Sequence, residues 1–440
     1  MIKLPNECLF IVFNNLNDDS KSLYSSLLVN RQLCRIIIPI LWSNMTRKLD
    51  RKKIINICLL TLNAEEQALL FPFKITLPNY PKPLFEYTSY ATSIDSSLNR
   101  GVVNWLNKNG HEEILDRWDS NFNYIVNAVK YSLITMFLRT NKRLEYLEIV
   151  GFIDSNNKLI FENLCRNNSI ISLYLYNNRV DSEGIAEIFE KNTTLTSLNI
   201  KSKIFDLNGV KVLANALHIN TTLASLKLNY ENIDIEGGKA LTKVICKNIT
   251  LTSLNLSNNY ISIEGGKAFA EALCANTTLT FLDLSRNYIC TEGGKELAKA
   301  LHENTSLTSL YFSDNNIDIE GGKAFAKALY INTTLTSLDI SYNNINFEGG
   351  KVLAEVLCKN NILTSLNVRG NNIGNEGAKI FAKVLYINTA LTFLDLSHNG
   401  ITSEGVDALT EALHKNITLV SLYLYGNQID YNDVIRVHYY

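Results

Sequence analysis

The chain has 440 residues, with 42 Lys and Arg against 43 Asp and Glu, for a net charge of −1. That balance gives no global attraction to nucleic acid or to an anionic membrane surface. No apolar run reaches the ~20 residues needed to cross a bilayer, and eight cysteines without a CxxC pair exclude a zinc ribbon or dithiol redox motif and favour a reduced compartment, cytosolic or nuclear.

The even balance hides two compositions. Residues 1–143 carry 18 Lys and Arg against 12 Asp and Glu, whereas the remainder carries 24 against 31. All six prolines precede residue 84, and 19 of the 21 glycines follow residue 150. Two architectures therefore join near residue 140.

At the N-terminus, Lys3 precedes an apolar stretch, but Pro5, Glu7, Asn14 and Asn15 interrupt it. With no small-residue cleavage site following, the segment reads as folded rather than as a leader. "LPNECLFIVFNNL" predicts a short amphipathic helix with Leu9, Val12, Phe13 and Leu16 on one side. A second helix, capped by the cluster Asn17–Ser20, covers "NDDSKSLYSSLLVNRQLCRII" until Pro39 interrupts, and Leu41-Trp42 follows. Forty residues of small helices bury little by themselves, so this module needs a partner surface or the adjoining domain.

Residues 4–42 resemble an F-box. The Leu-Pro-x-Glu opening is present as Leu4, Pro5 and Glu7, with Leu9 and Leu16 on the helix that follows. A Ser/Thr-Leu-x-x-Leu-like segment contains Ser22, Leu23 and Leu27, and the closing Leu-Trp is Leu41-Trp42. The Val-Cys-Arg-x-Trp block departs from the pattern: it reads Val29-Asn30-Arg31-Gln32-Leu33, with Cys and Trp replaced. The resemblance implies that Leu4, Pro5, Glu7, Leu9, Leu16, Leu23, Leu27, Val29, Arg31, Leu41 and Trp42 dock onto the adaptor subunit of an SCF-type ubiquitin ligase, beside its cullin scaffold. The alternative is that residues 1–45 are an ordinary helical cap.

Residues 46–143 read as a helical linker and N-terminal cap. "RKKIINICLLTL" predicts a helix, Asn63 with Glu66 marks a helix start, and "FPFKITLPNYPKPLF" predicts extended chain. "NYIVNAVKYSLITMFLRTN" predicts a helix whose apolar face covers the start of the C-terminal architecture. His111-Glu112 opens an HExxH-like phrase, but Leu115 stands where the second histidine is required, excluding a zinc protease.

From residue 144 the chain repeats. Leu195, Leu223, Leu251, Leu279, Leu307, Leu335, Leu363, Leu391 and Leu419 lie 28 residues apart, with Ile170 and Leu144 preceding them at shorter intervals. Each unit opens L-x-x-L-x-L-x-x-N, as in Leu279, Leu282, Leu284 and Asn287. Alternating leucines predict a short strand with leucines inward. Asn178, Asn259, Asn287, Asn315, Asn343, Asn371, Asn399 and Asn427 recur eight residues after the first leucine and predict a ladder that satisfies buried backbone groups. Next come an isoleucine, a Gly-Gly pair and an Ala-rich helix, as in Ile261, Gly265-Gly266 and "KAFAEALCAN".

Gly-Gly-Lys before a helix invites a phosphate-loop reading. Ala268 after Lys267, the missing earlier glycine, and copies at Gly237, Gly293, Gly321 and Gly349 exclude it. The pairs are expected to let the backbone turn tightly into each helix. Strands neighbour each other at ~4.8 Å and helices at ~8–10 Å, so the stack must curve with strands inside.

These units resemble leucine-rich repeats of the ribonuclease-inhibitor-like type, also found in NOD-like innate-immune receptors. The resemblance implies an α/β fold over 144–440: a right-handed horseshoe of 28-residue units, with parallel strands concave, helices convex, and protein bound on the concave face. Departures from the Ser/Asn/Asp background there mark candidate target-binding residues: Tyr174, Tyr176, Lys201, Lys227, Phe281, Tyr311, Arg369, Phe393, Tyr423 and Tyr425.

The remaining motifs follow the repeat. Cys246, Cys274 and Cys358 share one place in different units, and His218, His302, His398 and His414 show no i, i+4 pairing. N-x-[ST] sequons at Asn192, Asn220, Asn248, Asn276, Asn304, Asn332 and Asn416 sit between helix and strand, where a structural role is expected rather than glycosylation. F-box followed by repeats implies a non-catalytic substrate receptor of a cullin-type ubiquitin ligase, with an unidentified protein target and no cofactor, metal, nucleic acid or membrane. The alternative is a repeat scaffold, inhibitor or innate-sensor-like protein outside any ligase.

Overall fold

The computed structural model describes residues 4–17, 19–43, 48–109, 120–151, 158–176, 182–201 and 207–429. Asn178 and the His111-Glu112 phrase lie outside the described residues. The chain forms two compact units, 1–202 and 203–440.

The first unit opens with three helices, α1 (Asn6–Asn14), α2 (Ser20–Leu27) and α3 (Arg31–Ser43). Asp19 caps α2, its carboxylate accepting from the Ser22 amide at 3.2 Å. The expected second helix is thus two, broken at Leu28–Asn30, where the Asn30 side chain accepts from the Leu33 amide at 2.8 Å. Pro39 does not end α3 but sits inside it. It removes one helical hydrogen bond, and the burial of Ile37, Ile38, Ile40 and Leu41 around it holds the helix together.

Next come α4 (Lys52–Leu59) and α5 (Ala64–Ala68). The latter opens on a capping box: Glu66 N donates to Asn63 Oδ1 at 2.9 Å, and Asn63 N donates to Glu66 Oε2 at 2.8 Å. Phe71–Phe73 forms one 3₁₀ turn rather than extended chain, with Lys74 left-handed at φ 51°. Strand β1 (Ser93–Ile94) and helices α6 (Ser97–Asn107) and α7 (Ser120–Thr140) follow.

β2 (Tyr146–Val150), α8 (Lys158–Arg166), β3 (Ser172–Tyr176), α9 (Ser182–Lys191) and β4 (Ser197–Lys201) complete this unit. Its four strands are parallel and lie in chain order. The stack thus begins at β1, ahead of Leu144. Helix α7 behaves as a repeat helix, because Asn141 at its end accepts from the Arg143 amide (2.7 Å) and donates to the Ala91 carbonyl (2.6 Å), as later helix-end asparagines do.

The second unit alternates helices and strands: α10 (Leu207–Ile219), β5 (Ser225–Leu228), α11 (Ile235–Ile245), β6 (Ser253–Asn255), α12 (Ser262–Ala275), β7 (Phe281–Asp283), α13 (Cys290–Glu303), β8 (Ser309–Tyr311), α14 (Ile319–Ile331), β9 (Ser337–Asp339), α15 (Asn346–Leu357), β10 (Ser365–Asn367), α16 (Gly374–Leu385), β11 (Phe393–Asp395), α17 (Ser403–Leu413) and β12 (Ser421–Tyr423). β5 to β12 form a parallel sheet in chain order, each pair in a 28-residue register such as Leu282↔Leu310. The inward leucines are buried, among them Leu254, Leu282, Leu310 and Leu338. This is an α/β repeat fold with strands on one side and helices on the other.

Two asparagine ladders run through it. Asn315 Oδ1 accepts from the Asn287 amide (3.0 Å) and the Ile289 amide (3.3 Å) of the preceding unit, while its Nδ2 donates to the Leu284 carbonyl (2.9 Å). At the helix–strand junction, Asn304 Nδ2 donates to Leu273 O (2.8 Å) and its Oδ1 accepts from Leu307 N (2.8 Å). The sequon asparagines Asn192, Asn220, Asn276, Asn304 and Asn332 are buried. Asn360 and Asn388, which belong to no sequon, make the same bonds.

The glycine pairs have another reason than the expected one. They lie within helices, without the left-handed backbone that would require glycine. Left-handed residues instead lie in the turn into α13 and at its first residue: Arg286, Tyr288 and Cys290. The pairs allow close approach, because a Cβ at Gly265 or Gly266 would overlap the Cγ2 of Ile261 or Ile289, respectively.

Candidate protein-binding surfaces

The N-terminal module has a small core of Leu23, Ile37, Ile40 and Leu41, onto which Phe13, Leu16, Leu27, Leu33, Ile36 and Trp42 pack. Trp42 also stacks on Tyr87, with ring centroids 4.6 Å apart. This division sorts the residues that the F-box resemblance singles out. Leu23 and Leu41 are core and present no surface to a partner. Leu9, Leu16, Leu27 and Trp42 are half-buried, while Leu4, Pro5, Glu7, Val29 and Arg31 are exposed.

Large apolar side chains remain outside this core. Leu28 is 82% exposed, Val29 68% and Ile11 62%, and Leu4, Phe10 and Val12 are also exposed. Val12, expected on the inward side of α1, therefore faces out. Gln32 Nε2 donates to Asn6 Oδ1 at 2.8 Å, which fixes the start of α1 beside the start of α3. Leu4 and Pro5 thus lie at the same end of the module as Leu28 and Val29. Phe10, Ile11 and Leu28 carry no family motif, so sequence reasoning had only their apolar character to find them.

The strand face of the first unit gathers Tyr174 and Tyr176 from β3 and Lys201 from β4, all half-buried, with Lys201 Nζ 5.3 Å from the Tyr176 ring centre. Tyr146 on β2 pairs in register with Ser172 and joins the same face. Desolvation, followed by the charge of Glu148, raises its hydroxyl pKa. Tyr146 was missed because Leu144 marks its unit only weakly.

The strand face of the second unit carries Lys227, Phe281, Tyr311, Arg369 and Phe393, all half-buried, and Tyr423 and Tyr425, both exposed. The Phe281 and Tyr311 rings lie 5.2 Å apart, those of Phe393 and Tyr423 5.4 Å, and Tyr425 meets His398 edge-on at 5.4 Å. The Arg369 guanidinium lies 5.4 Å from the Tyr342 ring centre. Asp339 has its carboxyl pKa raised, mainly by burial, although Ser341 and Asn367 donate to it.

Residues 247–270, 275–298, 303–326, 332–354, 359–382 and 388–409 match the family model described as Leucine Rich repeat. The C-terminal part of the chain is built of leucine-rich repeats. Such repeats are in general non-catalytic scaffolds for binding protein. Among curated proteins, a sequence search finds no match.

Similar solved structures include the complex of Rad7 and Elc1 from yeast, 16% identical over 69% of this chain and 75% of that one, with a TM-score of 0.49. LegL7 from Legionella pneumophila is 19% identical over 66% and 96%, with a TM-score of 0.45. TLR13 in complex with ssRNA13 is 22% identical over 67% and 41%, with a TM-score of 0.43. These likenesses carry no partner or activity over to this chain. Among the described residues, no His, Cys, Asp or Glu cluster could hold a metal ion, and no single helix is long and apolar enough to cross a membrane.

Proposed function

We propose that the chain is the substrate-recognition subunit of an SCF-type, cullin-based ubiquitin ligase. Residues 1–45 act as the F-box module, 46–143 as the linker and cap, and 144–440 as the repeat domain. The module docks onto the adaptor, and the repeat strand faces hold a target protein in the cytoplasm or nucleus. The chain performs no bond chemistry; it raises the effective concentration of the target near a ubiquitin-charged enzyme.

The observation that carries this reading is the exposed apolar set Leu4, Phe10, Ile11, Val12, Leu28 and Val29 on the module bearing the F-box-like motif. A small module that leaves so many large apolar side chains in water, rather than in its own core, is suited to a protein partner.

The test is a pull-down of the full chain by purified adaptor. Wild type is retained, whereas Leu28→Asp with Val29→Asp is lost although its thermal unfolding is unchanged. Absence of wild-type binding overturns the ligase reading in favour of a repeat scaffold acting outside it.

A further inference from the structure

Aromatic departures from the background on the second unit's strand face come in two matching sets, each beside an aspartate. Phe281, Asp283 and Tyr311 recur 112 residues later as Phe393, Asp395 and Tyr423. That interval is four repeats. The ring geometry recurs with the residues: the rings pair at 5.2 and 5.4 Å, inclined by 38° and 42°. In each set the aspartate Oδ1 is held by the amide two residues ahead, from Ser285 to Asp283 at 3.0 Å and from Ser397 to Asp395 at 2.8 Å. Asp283 Oδ2 also accepts from Asn255 Nδ2 at 2.7 Å, and Asp395 is the more buried of the two.

The match does not extend to the surrounding helices. Over the same interval Lys295 corresponds to Asp407, Lys299 to Glu411, Glu303 to Lys415 and Gly294 to Val406. Helix-surface charge is reversed at three places while the strand-face triad is unchanged.

We propose that these triads are two matching contact points for the cationic side chains of one extended segment of the target. The proposal rests on the reading that the strand face binds protein. An aromatic pair beside a fixed carboxylate suits Lys or Arg: the stem lies on the ring, and the charge meets the π face and the aspartate. Charge in the column that holds the aspartates agrees, with Arg369 standing on the same face two residues beyond that column. Asp283, Asp339 and Asp395 stand in one column, and Lys227 is the one basic residue among the eight strand residues of that column.

The spacing sets the ligand. Four strand steps of ~4.8 Å separate the contact points by roughly 19 Å, which extended chain spans in roughly six residues. Two basic residues six positions apart engage both contact points, and the second engagement is intramolecular.

Fluorescein-labelled Gly/Ser 12-residue peptides test this on the full chain by anisotropy. One carries two arginines six positions apart, one carries them adjacent, one carries a single arginine, and one carries two glutamates six apart. The spaced pair binds at least about tenfold more tightly than the others. Phe281→Ala or Phe393→Ala reduces it to the single-arginine level, and Asp283→Asn with Asp395→Asn, which keeps side-chain size, weakens every arginine peptide. No measurable binding, equal binding of spaced and single arginines, or insensitivity to these substitutions overturns the paired contact points. None of those results alters retention by the adaptor, so the failure of this inference and that of the ligase reading are distinguishable.

Discussion

Ile289 Cγ2 occupies the space that a Cβ on Gly266, one repeat earlier, would need. At Gly238, the equivalent glycine of the preceding repeat, the nearest side-chain atom to such a Cβ is Ile261 Cγ2 at 3.5 Å, an ordinary contact. The two positions should therefore answer the same substitution with opposite signs. Gly266→Ala overpacks the interface and loses ~1–3 kcal/mol, whereas Gly238→Ala gains ~0.5–1 kcal/mol from helix propensity. Denaturant unfolding of both variants checks this.

The asparagine ladder predicts a large loss from a small change. Asn315→Ala strips the Asn287 and Ile289 amides of their acceptor and the Leu284 carbonyl of a donor. The Leu284 carbonyl keeps Asn287 Nδ2 as a donor, so two amides are orphaned at ~1–3 kcal/mol each, a total of at least ~2 kcal/mol. Asn316→Ala replaces an exposed neighbour at φ 58° and costs ~1–2 kcal/mol of backbone strain. Thermal unfolding should rank them in that order.

Inward and outward strand positions are tested by charge. Leu282→Asp or Leu310→Asp places an unpaired carboxylate where the side chain is 0% exposed, and should strongly lower thermal stability. Unchanged unfolding of both would reverse the face assignment.

Lys130 on α7 makes the first unit sensitive to alkaline pH. Its ammonium is buried, donates to Asn127 Oδ1 at 2.8 Å and to the Val150 carbonyl, and has its pKa lowered by desolvation from 10.5 to about 7. Between those values the unfolded chain binds more protons than the folded one, so this group's contribution increases stability as pH rises from about 7 to 10.5 and loses it as pH falls back. Lys130→Met should flatten that rise, as measured by denaturant unfolding from pH 6 to pH 10.

Elements specified by neighbours in sequence were legible. Asp19 and Asn63 with Glu66 cap the helices they announce, and the 28-residue leucine spacing reproduces the strand register. Features specified by distant neighbours were not. The reason for Gly266 lies in Ile289, on the next repeat. Two-residue β1 has too few positions to show alternation, and its pairing comes from Tyr146 and Leu147. Pro39 reads as a breaker because sequence does not show how fully the residues around it are buried. Motif spacing likewise named Leu23 and Leu41 with the docking residues because it does not separate core from surface.

Hydrogen–deuterium exchange of the full chain, with and without purified adaptor, tests the central claim most directly. Docking through the N-terminal module predicts slowed exchange across residues 4–31, with the repeat strands unchanged. Exchange in those residues that stays the same at saturating adaptor, or protection confined to the repeats, would contradict it.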